Sequence, residues 1–424
     1  MRLSLDWYKK SKFSQNSKIS ILNKHDFPHA YILPKNKDLT RYRPVVSYYR
    51  HMFKSHFSFA ASALNHMLVS LPLANFNLDK IQDMTNFFRK ISTKKQILAA
   101  FGENLFPHLF DIKEMFTNVS HDLIKECTRF LINFFKSRGV TGVWVPEKKT
   151  LKLPSFFAKP SKPGYTFIDL GFILAFTHFD LNFSHSRIGT NVILRQKLGI
   201  PIGGPLSSAL ARLVVSIDET KKIIADPKTA SKLDGGRYTD DLILFVRAKT
   251  KSHADKITQF FTHDLYNKYL SLKQEQTKGK LFAHVGHHII NTTPLTVTVK
   301  NENFTSIVQT GEQKVKRFPH VASCVPEKQV IGVMIGEFVR ASDCSSSNDA
   351  LSFAVFSIIV EFLLIHHSPN TILKAFYKAT IRRQDLALAS SQIIHTLISM
   401  AQIVTNNTFH EFHDEKITYS DATQ

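Results

Sequence analysis

The 424-residue sequence predicts an α+β fold, in which short antiparallel strands carry a buried hairpin and longer helical stretches surround them. Two observations carry that expectation. Arg237–Val246 reads strand, turn, strand, with Asp240-Asp241 at the bend and the unbroken apolar run Leu242–Val246 behind it. Elsewhere apolar residues recur at helical spacing, as in Ile81, Met84, Phe87, Phe88 and Ile91.

Taken in order, residues 1–24 form a basic N-terminal arm. Tyr31–Lys37 and Tyr42–Ser47 are β-prone runs on either side of Asn36-Lys37-Asp38 and read as a hairpin. From Phe53 to Leu105 the spacing is mostly helical, and Leu109–Ile112 is a strand. Ser120 caps the following helix, which turns Leu123, Ile124, Cys127 and Phe130 inward. Ser137–Gly164, rich in Lys, Pro and Gly, reads as a loop or insertion. Gly199–Pro205 is a Gly/Pro turn that opens a helix from Leu206. After Thr293 come β-prone runs, then helices at about 349–366 and 369–384, and a polar tail over 406–424.

The charge balance is unusual. Lys and Arg number 55 against 34 Asp and Glu, a formal net charge of +21. So large an excess fits a polyanionic partner, because each neutralised phosphate releases condensed counterions. No apolar run reaches the 18 or so residues of a membrane span; Leu351–Ile365 is broken by Glu361 and reads as a buried helix. The expected partner is therefore nucleic acid, with no membrane. Three cysteines (Cys127, Cys324, Cys344) cannot make a disulfide framework, and the first residues lack the apolar run of a secretory signal. The expected compartment is intracellular, the nucleus ahead of the mitochondrion.

Asp240 and Asp241 are the chemically loaded residues. Adjacent carboxylates beside so apolar a strand repel each other and resist burial unless cations neutralise them. Asp111, at the end of the apolar pair Leu109-Phe110, is the natural third acid. Carboxylates brought together from separate strands can bridge two Mg2+ ions about 3.5–4 Å apart, or Mn2+ in their place, the arrangement that phosphoryl transfer uses. Asp-Asp by itself is equally what an ordinary hairpin turn selects.

Context favours the chemical reading. Tyr238–Asp241 resembles the YxDD box of reverse transcriptases, and Asp111–Phe116 (DIKEMF) resembles their first catalytic motif. Between them Gly199–Ala211 (GIPIGGPLSSALA) is similar to the Gly-Pro box ahead of the helix under the templating base pair. Tyr31–Ser47 resembles the fingers hairpin and Phe282–Ile289, around Gly286, the primer-grip region. In detail the chain is most similar to Penelope-like retroelement enzymes, relatives of telomerase. The residues that carry this are Phe116–Val119, Gln196 ahead of the Gly-Pro box, and the thumb-like run His320, Ser323, Pro326, Gly332, Gly336, Arg340, Cys344.

The resemblance implies a right-hand polymerase, with fingers, an antiparallel-sheet palm and a helical thumb. Fingers and palm would occupy 25–300 and the thumb 301–405. It implies an RNA-directed DNA polymerase that takes an RNA template, a DNA or RNA primer and dNTPs, with Asp111, Asp240 and Asp241 catalytic and metal-binding. Lys35, Lys37 and Arg43 would neutralise the triphosphate, and Gly203 and Gly204 would let backbone approach the nucleotide closely. Phe116 would exclude a 2′-hydroxyl. Lys278 matches the Lys that acts on pyrophosphate departure, with Lys273 the alternate. Gln196, Pro201 and Gly286 would touch nucleic acid.

Lys374, Lys378 and Arg382 form a basic stripe opposite Ile372, Leu373, Phe376 and Ala379, and can follow a duplex backbone. His320, Cys324 and Cys344 match no zinc spacing and read as packing. The chain departs from the family at Ile202, where a polar residue or Met is common. Nothing after Thr293 resembles the GIY-YIG nuclease, and the stretch ahead of the fingers hairpin is expected to leave no room for the long RNA-binding extension of telomerases, so a separate nuclease or priming partner is expected. Two rival readings are an RNA-dependent RNA polymerase, against which Phe116 argues, and a non-catalytic RNA-binding or maturase-like protein, against which the intact acids argue.

Overall fold

Residues 26–35, 38–147, 153–156, 164–190, 192–275, 280–301, 303, 318–390 and 394–413 are described by the computed structural model, and side-chain caps set the start of some of its helices. The chain divides by packing into two units, one of residues 1–79, 110–246 and 251–275, the other of residues 80–109, 247–250 and 276–424.

In the first unit β1 (His29–Lys35) and β2 (Asp38–Ser47) form the expected hairpin, in the register His29↔Ser47 to Pro34↔Tyr42. They share a sheet of order β2-β1-β6-β7 with β6 (His185–Ile188) and β7 (Val192–Arg195). A second sheet holds β3 (Asn104–Lys113), β8 (Leu233–Tyr238), β9 (Asp241–Ala248) and β10 (Ser271–Glu275) in the order β10-β3-β9-β8. Helix α1 (Lys54–Val69) packs on α5 (Leu170–Asn182) through Phe53, Phe57, Phe176 and Phe179, with the Phe53 and Phe179 rings 5.1 Å apart and edge-on. α5 starts at Asp169, whose carboxylate accepts from Phe172 N.

A short helix, α3 (Met115–Asn118), follows β3, and α4 (His121–Lys136) begins where expected, with Ser120 Oγ accepting from Leu123 N. Helix α6 (Ser207–Ala225) is buried on almost every face over its first three turns, and α7 (Pro227–Ala230) and α8 (Lys251–Thr262) follow. Against expectation, Ser137–Gly164 is not all loop. Gly142–Pro146 forms β4, paired antiparallel with β5 (Tyr165–Asp169). Val143, Val145 and Ile168 are buried on one face of that ladder, so a five-residue alternation outweighs its Pro- and Lys-rich flanks.

The second unit contains α2 (Ile81–Ala100) and the three-stranded sheet β11 (Leu281–His284), β12 (His287–Ile290), β13 (Thr296–Val299). Five helices complete its described part: α9 (Glu327–Cys344), α10 (Asn348–Leu364), α11 (Pro369–Thr380), α12 (Gln384–Ser390) and α13 (Ile394–His413). Phe338, Phe362 and Phe376 are fully buried in one core. α10, apolar all round, runs through it. α11 ends at Thr380 rather than 384. The polar tail expected from Asn406 is helical as far as His413, because α13 carries Leu397, Ile398 and Ala401 into the core and propagates beyond them. Among the described residues no helix is long and apolar enough to cross a membrane.

Gly235 shows how tightly the second sheet is backed. A Cβ there would lie 2.3 to 2.7 Å from the buried ring of Phe76. Gly235→Ala is expected to cost about 1–3 kcal/mol of unfolding free energy, as overpacked cores do, read as a lower denaturant midpoint at unchanged slope.

Candidate active site

The site is built on the hairpin of β8 and β9, paired from Leu233↔Val246 to Tyr238↔Asp241. Leu242–Val246 are all fully buried, so the strand leaving the turn cannot shift. The turn itself is Thr239-Asp240. Asp241, expected at the bend, is instead the first residue of β9. Thr239 has φ +58°, unusual for a β-branched residue and a strain of about 1–3 kcal/mol that the surroundings must sustain.

β3 lies beside β9, and Ile112 N donates to the Asp240 carbonyl at 2.9 Å, which sets Asp111 next to the turn. Burial pushes the Asp240 carboxyl above its ordinary value of 3.8. A backbone hydrogen bond opposes this, the Asp111 charge adds to it, and the charges of Arg43 and Arg237 counter it. The structure thus brings Asp111, Asp240 and Arg43 within electrostatic reach of one another. Arg43 lies exposed on β2, opposite Leu33. Asp241 has an interaction of its own. Among the described residues no three His, Cys, Asp or Glu side chains are grouped to hold a metal ion. A desolvated carboxylate held against a second one is nevertheless the donor chemistry that a hard divalent cation would neutralise.

The Gly-Pro turn packs on this centre through its backbone. Ile200 N donates to the Phe116 carbonyl at 2.6 Å and Gly199 N to the Val119 carbonyl at 2.9 Å. Gly199, at φ +77°, leaves no room for a side chain, since a Cβ would sit 2.5 Å from the Phe116 carbonyl oxygen. Gly203, at φ +106°, meets the Val46 carbonyl in the same way at 2.6 Å, and Val46 N donates to Ile202 O at 2.7 Å. A Cβ on Gly204 would meet Ser207 Oγ, whose hydroxyl donates to the buried Pro201's carbonyl. Phe116 is half-buried in α3. Gln196 is turned to its own loop, with Nε2 donating to Leu198 O at 2.9 Å.

Other expected residues fall elsewhere. Lys37 and Lys278 lie outside the described residues, as does the side chain of Lys35, which ends β1. Within the second unit Gly286 sits exposed at the tip of the β11–β12 turn at φ +75°, its carbonyl accepting from Lys300 N. Lys374, Lys378 and Arg382 are exposed, while Ile372, Phe376 and Ala379 are buried and Leu373 half-buried.

Sequence reasoning passed over Arg237, which is fully buried beneath the turn with Glu219 of α6. Its one signal is position, as a charged residue three places before Asp240 beside an apolar strand.

The desolvated acid gives a test. Because the folded-state value is raised, the contribution of Asp240 to stability is full below 3.8 and is lost as pH rises through the folded value. Asp240→Asn is therefore expected to raise the Tm of the metal-free protein at neutral pH, with the gain vanishing as pH falls toward 3.8; a gain that persists at low pH would refute it.

No family model matches the chain, and no curated protein sequence does. Its fold is similar to that of telomerase from Candida albicans in complex with a TWJ fragment of telomeric RNA. That match has a TM-score of 0.56 at 13% identity and covers 98% of this chain and 69% of that one. Apo telomerase from Candida tropicalis is similar at a TM-score of 0.50 and 13% identity, over 99% of this chain and 69% of that one. At such identities the likeness is one of fold, and the chain has the α+β right-hand polymerase fold.

Proposed function

We propose that the chain is an RNA-directed DNA polymerase that adds deoxynucleotides to a primer 3′-hydroxyl. The observation that carries this is the placing of Asp111 and Asp240 side by side at neighbouring strands of a polymerase fold. The order of motifs along the chain supports a reverse transcriptase, and their detail a Penelope-like one. An RNA template is supported by the telomeric RNA fragment bound to the Candida albicans telomerase.

Asp111 and Asp240, with Asp241 from the next position, would hold Mg2+, or Mn2+ in its place. When bound, such ions supply positive charge that lowers the pKa of the attacking hydroxyl and steadies the leaving oxygen. The chain's own residues do the rest. Arg43, exposed and within electrostatic reach of Asp240, offers a planar fork to a triphosphate, joined by Lys35, Lys37 and Lys278. Gly203 and Gly204 would let backbone approach the nucleotide closely. Phe116, held by its carbonyl to the Gly-Pro turn, presents a ring with no polar atom to pair with a 2′-hydroxyl. Gln196, Pro201 and Gly286 would contact primer and template, and Lys374, Lys378 and Arg382 phosphates of the product duplex.

Primer extension on RNA and DNA templates, with dNTPs or rNTPs, tests the reading. Wild type is expected to extend on RNA with dNTPs. Asp111→Ala and Asp240→Ala should each lose more than about 10³-fold in rate, and Asp241→Ala less, since losing even one preorganised group costs about 10²–10³. A full-speed Asp240→Ala enzyme would end the proposal. Sugar choice is a separate measurement. Phe116→Ala should raise rNTP use by about 10²-fold and leave dNTP use within about tenfold, while Phe116→Tyr keeps the exclusion. Equal use of both sugars by wild type would favour an RNA polymerase.

A further inference from the structure

Arg237 and Glu219 are both completely buried, yet neither belongs to the acids, the Gly-Pro turn or the basic surfaces described above. Arg237 Nε donates to Glu219 Oε1 at 2.5 Å, and one terminal nitrogen donates to Glu219 Oε2 at 3.3 Å and to Ser216 Oγ at 2.8 Å. Glu219 is saturated in turn, since Tyr266 OH donates to Oε1 at 2.8 Å and Phe76 N to Oε2 at 3.0 Å. The other terminal nitrogen of Arg237 points the opposite way and donates to the carbonyl of Thr239 at 3.0 Å. That carbonyl belongs to the peptide joining Thr239 to Asp240. The backbone of Arg237 is clamped as well, its N donating to Phe76 O at 2.6 Å and its carbonyl accepting from Leu78 N at 2.8 Å.

A buried ion pair is weak evidence for stability, because desolvating two charges offsets most of their attraction. The geometry of this one supplies a different use. Five of the pair's six side-chain hydrogen bonds tie α6, Tyr266 and the 76–78 segment into a fixed base, and the remaining donor reaches the strained turn. We infer that Arg237, held by Glu219, is a positioning residue that fixes the Thr239–Asp240 peptide and so aims the Asp240 carboxylate. The guanidinium does this as no shorter or single-point cation can, because its fork spans a carboxylate and a carbonyl on opposite sides. This rests on the polymerase reading. It adds that the helix following the Gly-Pro turn and the acid hairpin are mechanically one body.

Three variants test it by steady-state primer extension beside thermal unfolding. Arg237→Lys keeps the charge but cannot reach both Glu219 and the Thr239 carbonyl. It is expected to lose about 10–10²-fold in kcat, the scale of a small misplacement of a reacting group, with KM for the dNTP and for template little changed. Arg237→Met leaves Glu219 buried without its cation and should lower both kcat and Tm. Adding Glu219→Gln removes the orphaned charge while the amide oxygen still accepts from Phe76 N or Tyr266. Arg237→Met/Glu219→Gln should therefore recover Tm but not kcat. If kcat returns with Tm in the double variant, or if Arg237→Lys keeps wild-type kcat, the pair is merely structural and the inference is overturned. A wild type that extends no primer overturns the polymerase reading instead, and this inference with it.

Discussion

A desolvated carboxyl, that of Asp240, within electrostatic reach of a second acid, Asp111, is an arrangement that a polypeptide does not adopt without compulsion. Repulsion and lost hydration both favour separating Asp111 from Asp240, and each persists as long as nothing neutralises them. The compulsion is the sheet. β3 and β9 are neighbours, Ile112 N is bonded to the Asp240 carbonyl, and β9 is anchored by five consecutive fully buried residues. Two guanidinium groups, Arg43 and Arg237, counter the cost from different environments. Arg43 is exposed on a hairpin strand, where its charge is available to other anions. Arg237 is buried and committed, a permanent part of the local field.

Around this centre the Gly-Pro turn is packed through close backbone contacts. Gly199 sits on the Phe116 carbonyl and Gly203 on the Val46 carbonyl, each too close for a Cβ. The Gly-Pro turn thereby joins the segment that follows Asp111, the hairpin strand β2 and the start of α6. α6 then carries the connection inward, with Arg212 paired to Asp79, Asp218 accepting from Asn267 and Glu219 gripping Arg237. A helix that buries three charged residues with partners from separate segments has little freedom to rotate or slide. Its position is specified by polar pairing as much as by its apolar surface.

The parts of this that sequence revealed are those written in local chemistry. The hairpin was legible because apolar alternation and turn residues meet at Thr239–Asp241, the start of α4 because its cap Ser120 acts within a few residues of itself, and α10 because it is apolar throughout. β4 was not, since five residues of alternation are drowned by basic and proline-rich flanks, and its partner β5 lies beyond an insertion. Helix α9 was not picked out as an element of its own within the expected helical thumb, since Gly332 and Gly336, about which there is open space, weaken its helical pattern. Arg237 escaped for a deeper reason. A charged residue in a strand reads as solvent-facing, and only Glu219, on a different element, makes its burial tolerable.

Each unit also carries a two-residue hairpin turn with a β-branched residue at positive φ, where Asn-Gly would be the easy choice. Thr239 has φ +58° and Val285 φ +42°. Such a backbone survives only where its surroundings over-determine it. In both turns the extra constraint reaches a carbonyl of the turn. Arg237 donates to Thr239 O, while His287 Nδ1 donates to Val285 O at 2.9 Å and Lys300 N to Gly286 O at 2.6 Å. His287 is itself buried, its imidazole held below the ordinary value of 6.5 chiefly by that burial, with Nε2 2.9 Å from the Thr85 hydroxyl. A relaxed turn would need none of these tethers, but it would leave the tip free to rock on its strands. Strain balanced by these hydrogen bonds removes that freedom and holds the tip of each hairpin still.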